Sequence, residues 1–145
     1  MTSRKRETSP AGNQPAGLVR EWTIPLPYVG PPITMNEISG KHWSRYLLDR
    51  RDLIKSGFYL ARHHKIPLLS CVTVELIYWP GDNRVHDADN MCPTLKALVD
   101  GLRRGGVVPD DRGRHVRSAT CTVIELDDDP TGNRTARMAL VVREV

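Results

Sequence analysis

The sequence predicts a small single-domain α/β fold, a mixed sheet of about four strands carrying two main helices in the order β-α-β-α-β-β. Three observations lead there. Two segments repeat apolar residues with a helical period, several shorter ones alternate apolar and polar residues, and the two kinds interleave along the chain before ending on two strands in succession. At 145 residues the chain suits one domain, and a chain of that size buries about 68 to 70% of the surface its unfolded form exposes.

Residues 1–18 are polar and rich in Pro, Gly and Ser. They cannot repay the entropy of ordering, so a disordered basic tail is expected there, with the folded domain over 19–145. The formal net charge is +4, but Arg4, Lys5, Arg6 and Arg20 against Glu7 supply most of it, so the global charge alone says little about a nucleic-acid partner. Trp22, Ile24 and Leu26 alternate with polar residues as a first strand, and Pro25 and Pro27 put it at a sheet edge. Gly30 to Asn36 then breaks regular structure.

From Lys41 to about His64, Trp43, Tyr46, Leu47, Ile54, Phe58 and Ala61 trace one helical stripe. Lys41, Arg45, Arg50, Arg51, Lys55, Arg62 and Lys65 crowd the other faces against only Asp49 and Asp52. A local basic excess of this kind is what phosphate binding requires, although a solvated helix face is the plainer alternative. Gly57 inside the helix costs up to about 1 kcal/mol relative to Ala and invites a kink or a break. Pro67 closes the segment, and Val72, Val74, Leu76 and Tyr78 alternate through a second strand ending at Trp79-Pro80.

Gly81-Asp82-Asn83-Arg84 is turn chemistry. Arg84 and His86 stand beside the aspartates that follow, either to meet a phosphate or to balance charge. Leu95, Leu98, Val99 and Leu102 recur at i, i+3, i+4 and i+7, a helix of about three turns. Gly105-Gly106 stops it, and Pro93 fits only in its first turn, where a missing amide donor costs nothing. Asp87, Asp89 and Asn90 therefore lie in the loop entering the helix, and Asp110 and Asp111 in the loop leaving it. Carboxylates held about 4 Å apart repel by roughly 1 to 4 kcal/mol. Either a hard cation such as Mg²⁺ offsets that repulsion, or these residues are the turn and cap formers that Asp commonly provides.

Beyond Asp111, Arg112, Arg114, His115 and Arg117 add positive charge beside the acids. Val116 to Leu126 alternates as a third strand. Asp127 to Asn133 is expected to form a hairpin loop whose three aspartates make a solvated turn, and Met138 to Val142 forms a fourth strand. The odd number of cysteines, Cys71, Cys92 and Cys121, with no CxxC pairing, argues for reduced thiols in a cytosolic setting. No apolar leader or membrane-length apolar run is present, so a soluble, non-secreted, cytoplasmic protein is expected.

The stretch Asp87-Ala88-Asp89-Asn90, Lys96, Asp100-Gly101-Leu102 and Gly106-Val107-Val108-Pro109-Asp110-Asp111 resembles the RusA-type Holliday junction resolvases in their phage-type branch. Weaker resemblance extends over roughly residues 20 to 145. It implies a Mg²⁺-dependent endonuclease that resolves four-way DNA junctions as a homodimer. It also implies that Asp87, Asp89 and Asp111 are the catalytic metal ligands and Lys96 their catalytic partner. The basic residues Arg45, Arg50, Arg51, Lys55, Arg84, Arg112 and Arg114 would meet branched DNA, and Asn36 would contact substrate. Lys96 keeps its spacing to Asp100, but it stands further from Asn90 than the family pattern has it, by the residues Met91-Cys92-Pro93. If those are absorbed before the helix, Lys96 keeps its place; if they lengthen it, Lys96 turns away and serves only as an i,i+4 partner of Asp100. Two other functions fit the residues less closely: an aspartyl-nucleophile phosphatase, which would want an apolar strand running straight into the first Asp, and a non-catalytic DNA-binding protein using the basic helix.

Overall fold

In a computed structural model, residues 19–38 and 43–145 are described. The expected tail over 1–18, and Lys41 at the start of the basic segment, lie outside them. The element order is β1 (Glu21–Pro25), α1 (Met35–Ile38), α2 (Trp43–His63), β2 (Val72–Trp79), a 3-10 turn (Ala88–Met91), α3 (Cys92–Arg104), β3 (Val116–Val123), a second 3-10 turn (Leu126–Asp128) and β4 (Arg137–Glu144). This is the small α/β domain with a four-stranded mixed sheet and two main helices that the sequence predicts.

The sheet runs β1-β4-β2-β3. β1 is an edge strand, as expected from Pro25 and from Pro27 just beyond it, and Pro25 faces Ala139 of β4. β2 pairs parallel with β3 and antiparallel with β4. Parallel neighbours need a crossover, which α3 supplies between β2 and β3. Alternation on β2 buries Val72, Val74 and Leu76 beneath the helices. Its opposite face carries Glu75, which accepts hydrogen bonds from Thr122 of β3 (2.7 Å) and Arg143 of β4 (3.1 Å).

The strand order corrects one expectation. β3 and β4 are not a hairpin, because β2 lies between them, and the segment after β3 passes across the end of the sheet. Nor are all three of its aspartates a solvated turn. Asp127 and Asp128 are exposed, but Asp129 is buried, taking hydrogen bonds from Arg137 (2.9 Å) and from the backbone and hydroxyl of Thr131 (3.0 and 2.7 Å). Arg137 also lies over the Trp79 ring, 4.4 Å from its centroid. The segment needs this clamp because it has no strand partner to fix its path.

α2 is one continuous helix, and Gly57 neither kinks nor breaks it. A Cβ there would come within 2.6 Å of the Leu98 carbonyl oxygen and 3.0 Å of Gly101 Cα, while one on Gly101 would run into the Ile54 carbonyl. The two glycines let α2 and α3 cross backbone to backbone. Burial on α2 is confined to this crossing, at Leu53, Ile54, Gly57 and Ala61. The predicted stripe fails upstream of it, where Trp43 is 68% exposed and Leu47 45%, because among the described residues no element covers that end of the helix.

Candidate functional site

α3 and its two flanking loops place the chemistry. Pro93 sits in the first turn of α3, and the helix follows directly on the 3-10 turn. The backbone N–H of Ile33 donates to Thr94 Oγ1 (3.0 Å), whose hydroxyl donates back to the Ile33 carbonyl (2.7 Å). Asn36 N–H donates to Asn90 Oδ1 (3.0 Å). The segment from Ile33 to Asn36 is thereby fastened to the start of α3. Thr94's part in this has no signature in the sequence, since a threonine on an apolar helix face has no characteristic spacing.

At its other end α3 stops in a Schellman arrangement. Gly106 has φ +88°, its N–H bonds the Arg103 carbonyl, and the Val107 N–H reaches Leu102. Val107 is buried, which turns Asp110 and Asp111 back along the helix toward Lys96.

The two acids of that pair then part. Asp110 closes a local turn, accepting from the backbone of Arg112 (2.9 Å) and from its guanidinium (3.1 Å), and these contacts hold its carboxyl below the usual aspartate range. Asp111 accepts from Lys96 Nζ at 3.1 Å. That contact lowers the Asp111 carboxyl and raises the Lys96 ammonium, so both remain charged. Lys96 also lies 3.3 Å from Asp100, which is buried and holds Arg50 of α2 at 2.8 Å. Lys96 is thus both the i,i+4 partner of Asp100 and a partner of Asp111: the residues Met91-Cys92-Pro93 are taken up at the start of the helix without turning the lysine away. Spacing alone marks Asp100 as one letter of a motif, and its role as anchor for two bases emerges only from the fold.

Lys96 and Asp111 line an open cleft of about 430 Å³ between α3 and β3, with Cys92, Leu95 and Arg117. Asp87 faces a different cleft, of about 440 Å³, with Asn36, Tyr78, Arg84, His86 and Asn90. There Arg84 Nη2 lies 3.2 Å and His86 Nε2 2.9 Å from Asp82, and His86 foremost holds the Asp82 carboxyl low. Arg84 and His86 therefore balance Asp82, a residue that its turn sequence does not single out. Asp89 is exposed on the 3-10 turn, and its charge is felt at Cys121; burial, with Cys92 beside it, pushes that thiol up to about 12.

The carboxylate oxygens of Asp87, Asp89 and Asp111 are the hard donors Mg²⁺ prefers. The fold does not gather them into a ready ligand set: among the described residues no three His, Cys, Asp or Glu side chains come together as a group able to hold a metal. Of the predicted DNA contacts, Arg51, Lys55 and Arg114 are exposed, and Arg45 is exposed while pairing with Asp49 at 3.5 Å. Arg50 is tied to Asp100 and Arg112 to Asp110, so these two have structural work of their own. Among the described residues no helix is long and apolar enough to cross a membrane. Neither the models of known protein families nor the curated proteins give a match to this chain.

Proposed function

We propose that this protein is a structure-selective DNA endonuclease that hydrolyses phosphodiesters at four-way junctions, acting as a homodimer and requiring Mg²⁺. The observation that supports it most is the meeting of Lys96 with Asp111 over Asp100. Residues from separate pieces of the resolvase-like motif, fifteen positions apart in sequence, come together at the mouth of one cleft, which the exposed Arg117 also lines.

In this reading Lys96, kept charged by Asp111 and Asp100, presents an ammonium to the phosphate in the cleft and steadies charge that develops there. Asp87 and Asp89, on the turn entering α3, supply the remaining carboxylates. Arg51, Lys55 and Arg114 draw the DNA arms onto the surface. The test is incubation of the purified protein with end-labelled four-way, forked and linear DNA, with and without Mg²⁺. Paired nicks in the four-way substrate that require the ion are expected, with linear duplex left intact. Retention of all three substrates without cleavage, at any divalent concentration, would leave a binding protein in place of a nuclease.

A further inference from the structure

The face of α2 that is buried at Ile54, Gly57 and Ala61 runs on, upstream, into solvent. Arg50 marks the boundary, closing on Asp100 of α3 at 2.8 Å, and Asp100 also holds Lys96 at 3.3 Å. Beyond it Trp43 is 68% exposed. Tyr46 packs against the core, and its ring centroid lies 5.3 Å from that of Trp43 with the planes tilted by 31°. The indole is therefore propped by a ring that the core holds, while most of its own surface meets water. Residues four apart on a helix form one ridge, so Trp43, Leu47, Arg51 and Lys55 stand in a row, and all four are exposed. That row leads from an open aromatic ring to two cations, and Trp43 and Arg51 are about 12 Å apart along the axis.

We propose that Trp43, propped by Tyr46, is a stacking platform for an unpaired base of branched DNA, with Arg51 and Lys55 taking the phosphates of the same strand. The spacing suits this use, since about 12 Å spans about three to four phosphates of a stacked strand. An aromatic ring stacks on any base whose face is free, whatever its identity. A continuous duplex hides those faces, whereas a branch point or a single strand offers them. The platform therefore selects structure without reading sequence, and it stands beside the residues that anchor Lys96. A second copy of the chain fits the ridge less well, because charged residues are depleted at the core of protein–protein interfaces and Arg51 and Lys55 make up half of this row.

The inference rests on the reading of DNA as the partner, but not on its hydrolysis, so the test is binding without divalent ions. Full-length wild type, Trp43→Ala and Trp43→Phe are titrated with oligothymidylate, with a four-way junction and with a long, fully paired duplex, following tryptophan emission and affinity. Trp43 is exposed, so neither variant opens the core. Oligothymidylate is expected to quench the emission of wild type and to leave that of Trp43→Ala unchanged. Its affinity should fall roughly tenfold or more in Trp43→Ala and recover largely in Trp43→Phe, whose ring also stacks. Duplex affinity and the salt dependence of binding should match wild type in both. Wild-type affinity of Trp43→Ala for oligothymidylate and the junction, an equal loss on duplex, or a change in sedimentation showing that Trp43→Ala has lost a partner copy overturns the proposal. A chain that stacks bases and never cuts keeps this inference while losing the endonuclease reading, and one that cuts junctions while Trp43→Ala binds every substrate as wild type does the reverse.

Discussion

Lys96 has two acids within reach, and they ask different things of it. The pairing with Asp100 is within one helix and worth about 0.2 to 0.5 kcal/mol in isolated helices, whereas the pairing with Asp111 crosses to another loop and fixes the ammonium at the cleft. Lys96→Met should therefore lower the single-turnover cleavage rate strongly while sparing junction affinity, because an interaction made mainly in the transition state affects turnover more than binding. Cleavage at the wild-type rate would reduce Lys96 to a partner of Asp100. Asp129 makes a separate prediction at this scale. Its carboxyl is held below its ordinary value of 3.8, first by Arg137 and then by Thr131. A lowered carboxyl contributes stability above the unfolded value and loses it as pH falls through the folded one. Asp129→Asn should be less stable than wild type at neutral pH, and the difference in melting temperature should close as pH drops below 3.8. A constant difference down to acid pH would mean that the charge of Asp129 is not what clamps its loop. The residue types at the site were legible in the sequence because carboxylates and lysine announce their chemistry. Which of Asp110 and Asp111 meets Lys96 was not legible from the residues alone, since that depends on the αL backbone at Gly106 and on the burial of Val107.

The crossing of α2 on α3 shows how far an element can be read in advance. Apolar period located both helices and Pro93 located the start of α3, yet Gly57 has the look of a weakness in sequence, because its partner Gly101 lies in another element. Gly57→Ala should destabilise the fold by about 1 to 3 kcal/mol, even though Ala is the better helix former by up to about 1 kcal/mol. The added Cβ meets the Leu98 carbonyl at 2.6 Å, and backbone cannot rotate aside. An unchanged urea midpoint would show that the helices separate freely. The basic face of α2 divides in the same manner. Arg50 is engaged by Asp100, so its replacement mixes stability with binding, whereas Arg51 and Lys55 are exposed and test binding alone. The pair replaced by Ala should flatten the salt dependence of junction affinity by up to about 0.9 logarithmic units for each phosphate no longer neutralised; an unchanged slope would leave that face as solvent surface. Sheet order was the least legible feature. Two strands in succession suggest a hairpin, but Met138 to Val142 is a continuous apolar run, the mark of a strand buried on both faces, and β4 takes an interior place between β1 and β2.

At the scale of the whole molecule, one fold presents two clefts on either side of the start of α3, one holding Asp87 and the other Lys96 and Asp111. Asp89 stands on the turn between these residues in sequence. The proposed catalytic arrangement, if it draws on all three aspartates, requires the 3-10 turn and the Asp110-Asp111 loop to come closer together, since among the described residues they form no group able to hold a metal. The interior was readable from pattern because burial follows periodicity, whereas the division of Asp87 and Asp111 between two clefts depends on how the chain packs around α3 and leaves no trace in the sequence. The most direct measurement is single-turnover cleavage of a labelled four-way junction in saturating Mg²⁺ by wild type, Asp87→Asn, Asp111→Asn and Asp110→Asn. Decreases of roughly a hundredfold or more for Asp87→Asn and Asp111→Asn, with Asp110→Asn close to wild type and junction binding kept throughout, are expected. Equal activity in all four proteins, or cleavage by none of them, would contradict the assignment of this chain as a junction endonuclease built on those carboxylates.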